Sequence, residues 1–188
     1  MRVSALARLN LPASLPDPEP LSRRAAIAVV VGPDDDLLFI RRAERLGDPW
    51  SGDMAFPGGR EEPHDANPRA TAERETREEV GLDLSGASFL GALQPMASPL
   101  RSPRSGMGIH PYVYLVDAWP RFTTSEEVAA IHHLALARIL AGEGREEFTY
   151  RGHGIERVLP CLRLDGTFVW GLTLRVVDDL VERLRAAP

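Results

Sequence analysis

A glycine pair running into a short acidic helix restricts this chain more than any other feature. Residues 58–82 read Gly-Gly-Arg-Glu-Glu-Pro-His-Asp-Ala-Asn-Pro-Arg-Ala-Thr-Ala-Glu-Arg-Glu-Thr-Arg-Glu-Glu-Val-Gly-Leu. Asn67 is a good N-cap, and Pro68 at the first helical position has no N–H to leave unpaired. Gly81, just past Val80, is a helix stop. At about 100° per residue, Glu78 and Glu79 fall on either side of Glu75, so the three carboxylates share one face. They repel one another, and those near the C-terminal end oppose the helix dipole. Arg74 and Arg77 offset part of this. A hard cation offsets more, because Mg²⁺ prefers carboxylate oxygens, waters and substrate phosphates. Taken alone, Glu-x-x-Glu-Glu also describes a solvated helix face. The flanking Gly-Gly turn, Arg-Glu pair and terminal Gly-Leu set this stretch apart.

The stretch resembles the Nudix box, whose second half is matched by Arg74-Glu75-Thr76-Arg77-Glu78-Glu79-Val80-Gly81-Leu82. Thr76 stands where that family usually carries an aliphatic residue. Fourteen residues separate Gly59 from Arg74, one more than the family pattern, and Asp65 best matches the acid expected after the loop. The resemblance implies an α/β fold, a Nudix-type α/β/α sandwich around a mixed sheet. It implies hydrolysis of a nucleoside diphosphate linked to another group, with Mg²⁺ or Mn²⁺ held by Glu75, Glu78, Glu79 and a main-chain carbonyl near Gly58 or Gly59. By the same resemblance, Arg74 braces the loop with Asp65. Glu127 matches a downstream acid used as an extra metal ligand or base.

A finer resemblance lies outside the box. Leu37-Leu38, Arg42, Gly52 and Phe56-Pro57-Gly58-Gly59 are similar to the upstream signature of the coenzyme A pyrophosphatase branch. So are the inserted residue before the helix and the segment Val169-Trp170-Gly171-Leu172-Thr173. Asp48 stands where the signature has a basic residue. The expected substrate is therefore coenzyme A or a thioester, cut to 3′,5′-ADP and 4′-phosphopantetheine. ADP-ribose, dinucleoside polyphosphates and oxidised nucleotides are the alternatives. A Nudix-fold binding module that has lost catalysis is a third reading, opposed by the intact glutamates. An isopentenyl-diphosphate isomerase is a fourth, opposed by the late position of Cys161. A coenzyme A substrate needs cations for its phosphates, and arginine offers bidentate hydrogen bonds. Arg42, Arg101 and Arg104 are the candidates.

The chain has 188 residues, 44% of them apolar, enough for one core. Residues 1–24 are read as an N-terminal helix over 2–10 and a Pro-rich arm, and 25–188 as a single domain. The arm either crosses a homodimer interface or lies on the surface. The net charge of −5, with both signs interspersed, argues against a nucleic-acid partner. Every basic residue other than histidine is arginine, which removes lysine chemistry. No stretch approaches the ~18 apolar residues of a membrane span. No cleavage-type signal follows the N-terminus, so a soluble cytoplasmic protein is expected. The lone Cys161 is read as a buried structural thiol.

Along the chain, residues 25–32 read as a buried strand that turns back through Asp34-Asp35-Asp36, a solvated turn, into a hairpin partner at 37–41. Residues 94–108 read as a mobile binding loop, and Pro111 places the strand at 109–116 on an edge or a bulge. His132 and His133 face opposite ways in a strand at 128–132. A hairpin at 148–164 and a closing helix at 170–184 complete the pattern.

Overall fold

The computed structural model describes residues 6–17, 23–47, 50–98, 106–152 and 155–187. Its centre is β1 (Arg23–Val31), an almost uninterrupted apolar run, as a strand buried on both faces requires. β1 pairs in parallel with β7 (Met107–Leu115) along its whole length. On its other edge it meets β4 (Gly58–Arg60) and, through Val31 and Leu37, β2 (Asp36–Arg42). β2 takes its main partner from far along the chain, β8 (Val128–Ala135), and carries the two-residue β3 (Met54–Ala55). β5 (Ser88–Ala92) and β6 (Met96–Ser98) share the outer side of β7. The sheet is mixed, and the class is α/β.

Alternation along β1 divides the core. Ala26, Ala28 and Val30 pack with Ala72 and Val80 of α1 (Pro68–Val80). Val29 and Val31 pack on the other face with α2 (Leu136–Leu140) and α3 (Gly171–Ala186). α1 forms as its sequence dictates. The Asn67 side chain accepts from the N–H of Ala70 at 3.0 Å, and Gly81 closes the helix with φ of 72°. Thr76, fully buried, satisfies its hydroxyl on the carbonyl of Ala72 at 2.7 Å. Tyr114 donates its hydroxyl to Glu73 at 3.0 Å, pinning the helix to β7.

Several expectations are corrected. The helix expected over 2–10 lies partly outside the described residues, and its described part holds a 3-10 turn, Leu6–Arg8. The Asp34–Asp36 turn is not wholly solvated. Asp35 is buried with φ of 55°, Asp36 pairs with His133 at 2.9 Å, and the ring of Trp119 fills the space beside Gly32. Part of the 94–108 segment is ordered as β6. Pro111 sits in an interior strand. Its carbonyl accepts from Leu93, so its missing N–H faces the break between β5 and β6, and the β1 ladder loses no donor. The closing helix is preceded by a strand. β9 (Arg145–Gly152), β10 (Ile155–Leu164) and β11 (Thr167–Trp170) form a second, antiparallel sheet.

The arm packs against its own domain. Ala92 donates its N–H to the carbonyl of Pro12 at 2.7 Å, and Asp17 pairs with Arg24 and with buried His110. Gly91 allows this, with φ of 130° and only 2.4 Å between its Cβ position and Leu11. Gly91→Ala is expected to cost about 1–3 kcal/mol in urea unfolding, and to speed protease cleavage within residues 11–17. A change below about 0.5 kcal/mol with an unaltered cleavage pattern would show that the arm contributes nothing to the fold.

Candidate active site

The loop between β3 and α1 is placed by its flanks. Phe56 stacks on Phe39 of β2 at 4.6 Å, and the carbonyl of Pro57 accepts from Ala28. Gly58 lies so close to β1 that a Cβ there would stand 2.2 Å from the carbonyl of Ala26, and its φ of 150° also favours glycine. Gly59 faces the helix, where a Cβ would stand 2.4 Å from the carboxyl carbon of Glu75. Glycine at 58 and 59 is thus what lets a carboxylate helix and a strand edge share one small space.

Arg74 organises that space. Its Nε and Nη2 form a fork on Asp65, at 3.0 Å each. Nη2 also reaches the carbonyl of Arg60 at 3.1 Å, while Nη1 reaches Glu75 at 2.9 Å and Glu78 at 3.0 Å. The side chain of Asp65 is only 3% exposed, and hydrogen bonds from Arg74 hold its carboxyl well below the usual carboxylate range. The inserted residue does not prevent this contact. A turn in which Asp65 and Glu62 exchange hydrogen bonds absorbs it.

Glu79 is 4% exposed and accepts the N–H of Gly58 at 2.8 Å. Burial pushes its carboxyl up to about 8, against the pull of that N–H and of Arg42, with Glu75 and Glu127 adding repulsion. Burial also raises Glu75, opposed by Arg74. Glu78 is exposed. Glu127, next to β8, is half exposed and pairs with Arg45 at 3.0 Å. Its influence on Glu75 and Glu79 places it in the field of the same site. Arg42, at the end of β2, acts on Glu79 in the opposite sense. Arg101 and Arg104 lie outside the described residues. Arg45 was not singled out from the sequence. Only the pairing of β2 with β8 brings it to Glu127, and no local pattern announces that.

Among the described residues no three His, Cys, Asp or Glu side chains converge as a ready metal cluster. Arg74 engages Glu75 and Glu78, and the Gly58 N–H engages Glu79. The donor set nonetheless suits a hard divalent cation. It is all oxygen, two of its carboxylates are raised by burial and mutual repulsion, and Gly59 leaves the backbone open to close approach.

Residues 21–150 match the NUDIX domain family model. The chain is 33% identical over 166 residues to a Nudix hydrolase, NudL, of Yersinia pestis (strain Pestoides F), covering 87% of this chain and 80% of that protein. Among solved structures it resembles a MutT/nudix family protein from Enterococcus faecalis, with TM-score 0.58 and 17% identity over 91% of this chain and 65% of that one. It also resembles the NUDIX domain of Shewanella oneidensis NrtR, solved with ADP ribose, with TM-score 0.57 and 16% identity over 90% and 94% of the two chains.

Glu79 makes a sign-definite prediction. Its folded pKa of about 8 lies well above the ordinary carboxylate value of 4.5. Its contribution to stability is therefore present below about 4.5 and lost as pH rises through about 8. In chelator, Glu79→Gln should be more stable than wild type near pH 8, by about 2–4 kcal/mol, and the gap should close near pH 4. Urea midpoints across that range decide it, and a pH-independent gap would mean that Glu79 is not buried as described.

Proposed function

The chain belongs to the Nudix family, and from that premise we propose that its substrate is coenzyme A or a coenzyme A thioester, cleaved at the diphosphate bridge. It is a pyrophosphohydrolase acting on a nucleoside diphosphate derivative, in a family that generally uses divalent metal ions. Among the described residues no helix is long and apolar enough to cross a membrane.

One observation supports the substrate reading. Gly52 and Phe56-Pro57-Gly58-Gly59, and the distant segment 169–173, resemble the coenzyme A branch, and the two regions meet where Trp170 reaches Asp53, between Gly52 and Phe56. Trp170 donates its indole N–H to Asp53 at 3.1 Å, across 117 residues. Asp53 in turn accepts the N–H of Arg42 and leads through β3 to the glycine loop. A segment near the C-terminus thus supports the entry to the carboxylate loop.

Glu75, Glu78, Glu79 and the carbonyl of Gly59 are the groups that would hold Mg²⁺ or Mn²⁺. Such an ion supplies charge neutralisation of the diphosphate and a lower pKa for a bound water. The residues themselves divide the remaining work. Arg74 and Asp65 hold the loop against the helix, and Arg74 has no donor left for substrate. Arg42, whose charge acts on Glu79, would suit an anionic oxygen of the bridge. Glu127, half exposed and paired with Arg45, would accept a proton from water. Arg101 and Arg104 are the cations proposed for the 3′-phosphate.

Two measurements test this. With a divalent cation, coenzyme A should yield 3′,5′-ADP and 4′-phosphopantetheine, chelator should abolish turnover, and Glu79→Gln should lower it by orders of magnitude with the fold intact. Replacing Arg101 or Arg104 by Ala should reduce the preference for coenzyme A over dephospho-coenzyme A by roughly ten- to a hundredfold, the ~1.5–3 kcal/mol of a charge-assisted contact. Equal wild-type cleavage of the two substrates would remove the 3′-phosphate reader. Turnover of ADP-ribose or a dinucleotide, with none of coenzyme A, would assign the alternative substrate class.

A further inference from the structure

The second sheet has one covered face and one aromatic face. Leu162, Leu164 and Val169 point into the core shared with α3. Strand alternation and register put Phe148 and Tyr150 of β9, with Phe168 and Trp170 of β11, on the opposite face, and each of the four stays partly exposed. The rings are mutually ordered. Tyr150 and Trp170 lie 5.4 Å apart with their planes 31° from parallel, while Phe148 stands edge-on to Trp170 at 5.5 Å and to Phe168 at 4.9 Å. One ring over Cys161, which is fully buried, would satisfy the fold. A wall of four half-wet rings exceeds that need.

Its position relative to the carboxylates suggests a use. Trp170 is bonded to Asp53, Asp53 leads through β3 to Gly58, and the N–H of Gly58 is accepted by Glu79 at 2.8 Å. The aromatic face is thus tied by direct contact to the strand that leads into the carboxylate loop. Two arginines border it. Arg157 is in register with Tyr150 and shares its face, and Arg163 lies over Phe168 at 4.4 Å, paired at 3.1 Å with Glu146 of the same face. A planar heterocycle matches the rings, and Arg157 offers a cation beside them.

We propose that Tyr150 and Trp170, braced by Phe148, form the platform on which the nucleobase of the substrate stacks. The proposal rests on the diphosphate hydrolase reading but not on the choice of coenzyme A. It makes these rings specificity determinants for nucleotide over base-free diphosphates.

The test compares α,β-methylene-ADP, which keeps base and bridge, with methylenediphosphonate, which keeps only the bridge. Both are titrated calorimetrically with Mg²⁺ into wild type, Tyr150→Ala and Tyr150→Phe. Tyr150→Ala should weaken the nucleotide roughly five- to a hundredfold, the range base stacking supplies, and leave methylenediphosphonate unchanged. Tyr150→Phe, which keeps the ring, should bind the nucleotide as wild type does. If both ligands bind wild type and Tyr150→Ala alters neither, the platform is overturned and the diphosphate site stands. If neither ligand binds wild type, both readings fall. If Tyr150→Ala instead turns a dimer into a monomer in sedimentation, with nucleotide affinity unchanged, the face belongs to a second copy of the chain and the platform is overturned.

Discussion

The guanidinium of Arg74 is the interaction on which the rest of this site depends. It directs five N–H donors at five acceptors, two on Asp65, one each on Glu75 and Glu78, and the carbonyl of Arg60. A single planar cation thereby fixes the loop, its turn and one side of the helix. The loss of one such group would leave Asp65, with only 3% of its side chain exposed, as an uncompensated charge. Lysine could not replace it, since a point charge lacks the fork that holds both oxygens of Asp65. The same arrangement keeps the like-charged glutamates compatible with one helix face.

How much of this was legible in the chain depends on the range of the interaction. Asn67, Pro68 and Gly81 announce α1 because caps act within four residues. The apolar run of β1 announces a buried strand because burial on both faces leaves no alternation to misread. The partner of β2 was not legible, since the short turn at 33–36 suggests a hairpin, whereas the observed ladder goes almost entirely to β8. Pro111 misled for a related reason. A proline excludes a ladder donor on one side only, and which side is broken is a property of β5 and β6 rather than of the strand itself. Asp34-Asp35-Asp36 reads as polar and therefore wet, but a distant tryptophan, Trp119, and a histidine, His133, cover part of it.

The candidate site shows the same division. Helical periodicity alone put Glu75, Glu78 and Glu79 on one face. It could not say that Glu79 would be the buried member, because that follows from the approach of β4 to β1 and the space a glycine leaves at 58. The insertion between loop and helix looked like a break in a motif. It is a local adjustment, because the added length goes into a turn whose carboxylate still faces Arg74.

Glu79 separates what the fold needs from what the site needs. At this position a neutral side chain of the same shape would still accept the Gly58 N–H, though less strongly, and would escape the desolvation that raises the carboxyl to about 8. Glu75 and Glu127 add repulsion, so the local electrostatics favour the protonated acid on every count except that hydrogen bond and Arg42. Groups placed against their own stability concentrate where chemistry requires them. A cation among these oxygens would reverse the balance, turning burial and mutual repulsion into a cause of affinity. The buried acid, the glycine pair that admits it and the arginine that restrains its neighbours form one device, and its cost in the free protein is the physical sign of its purpose.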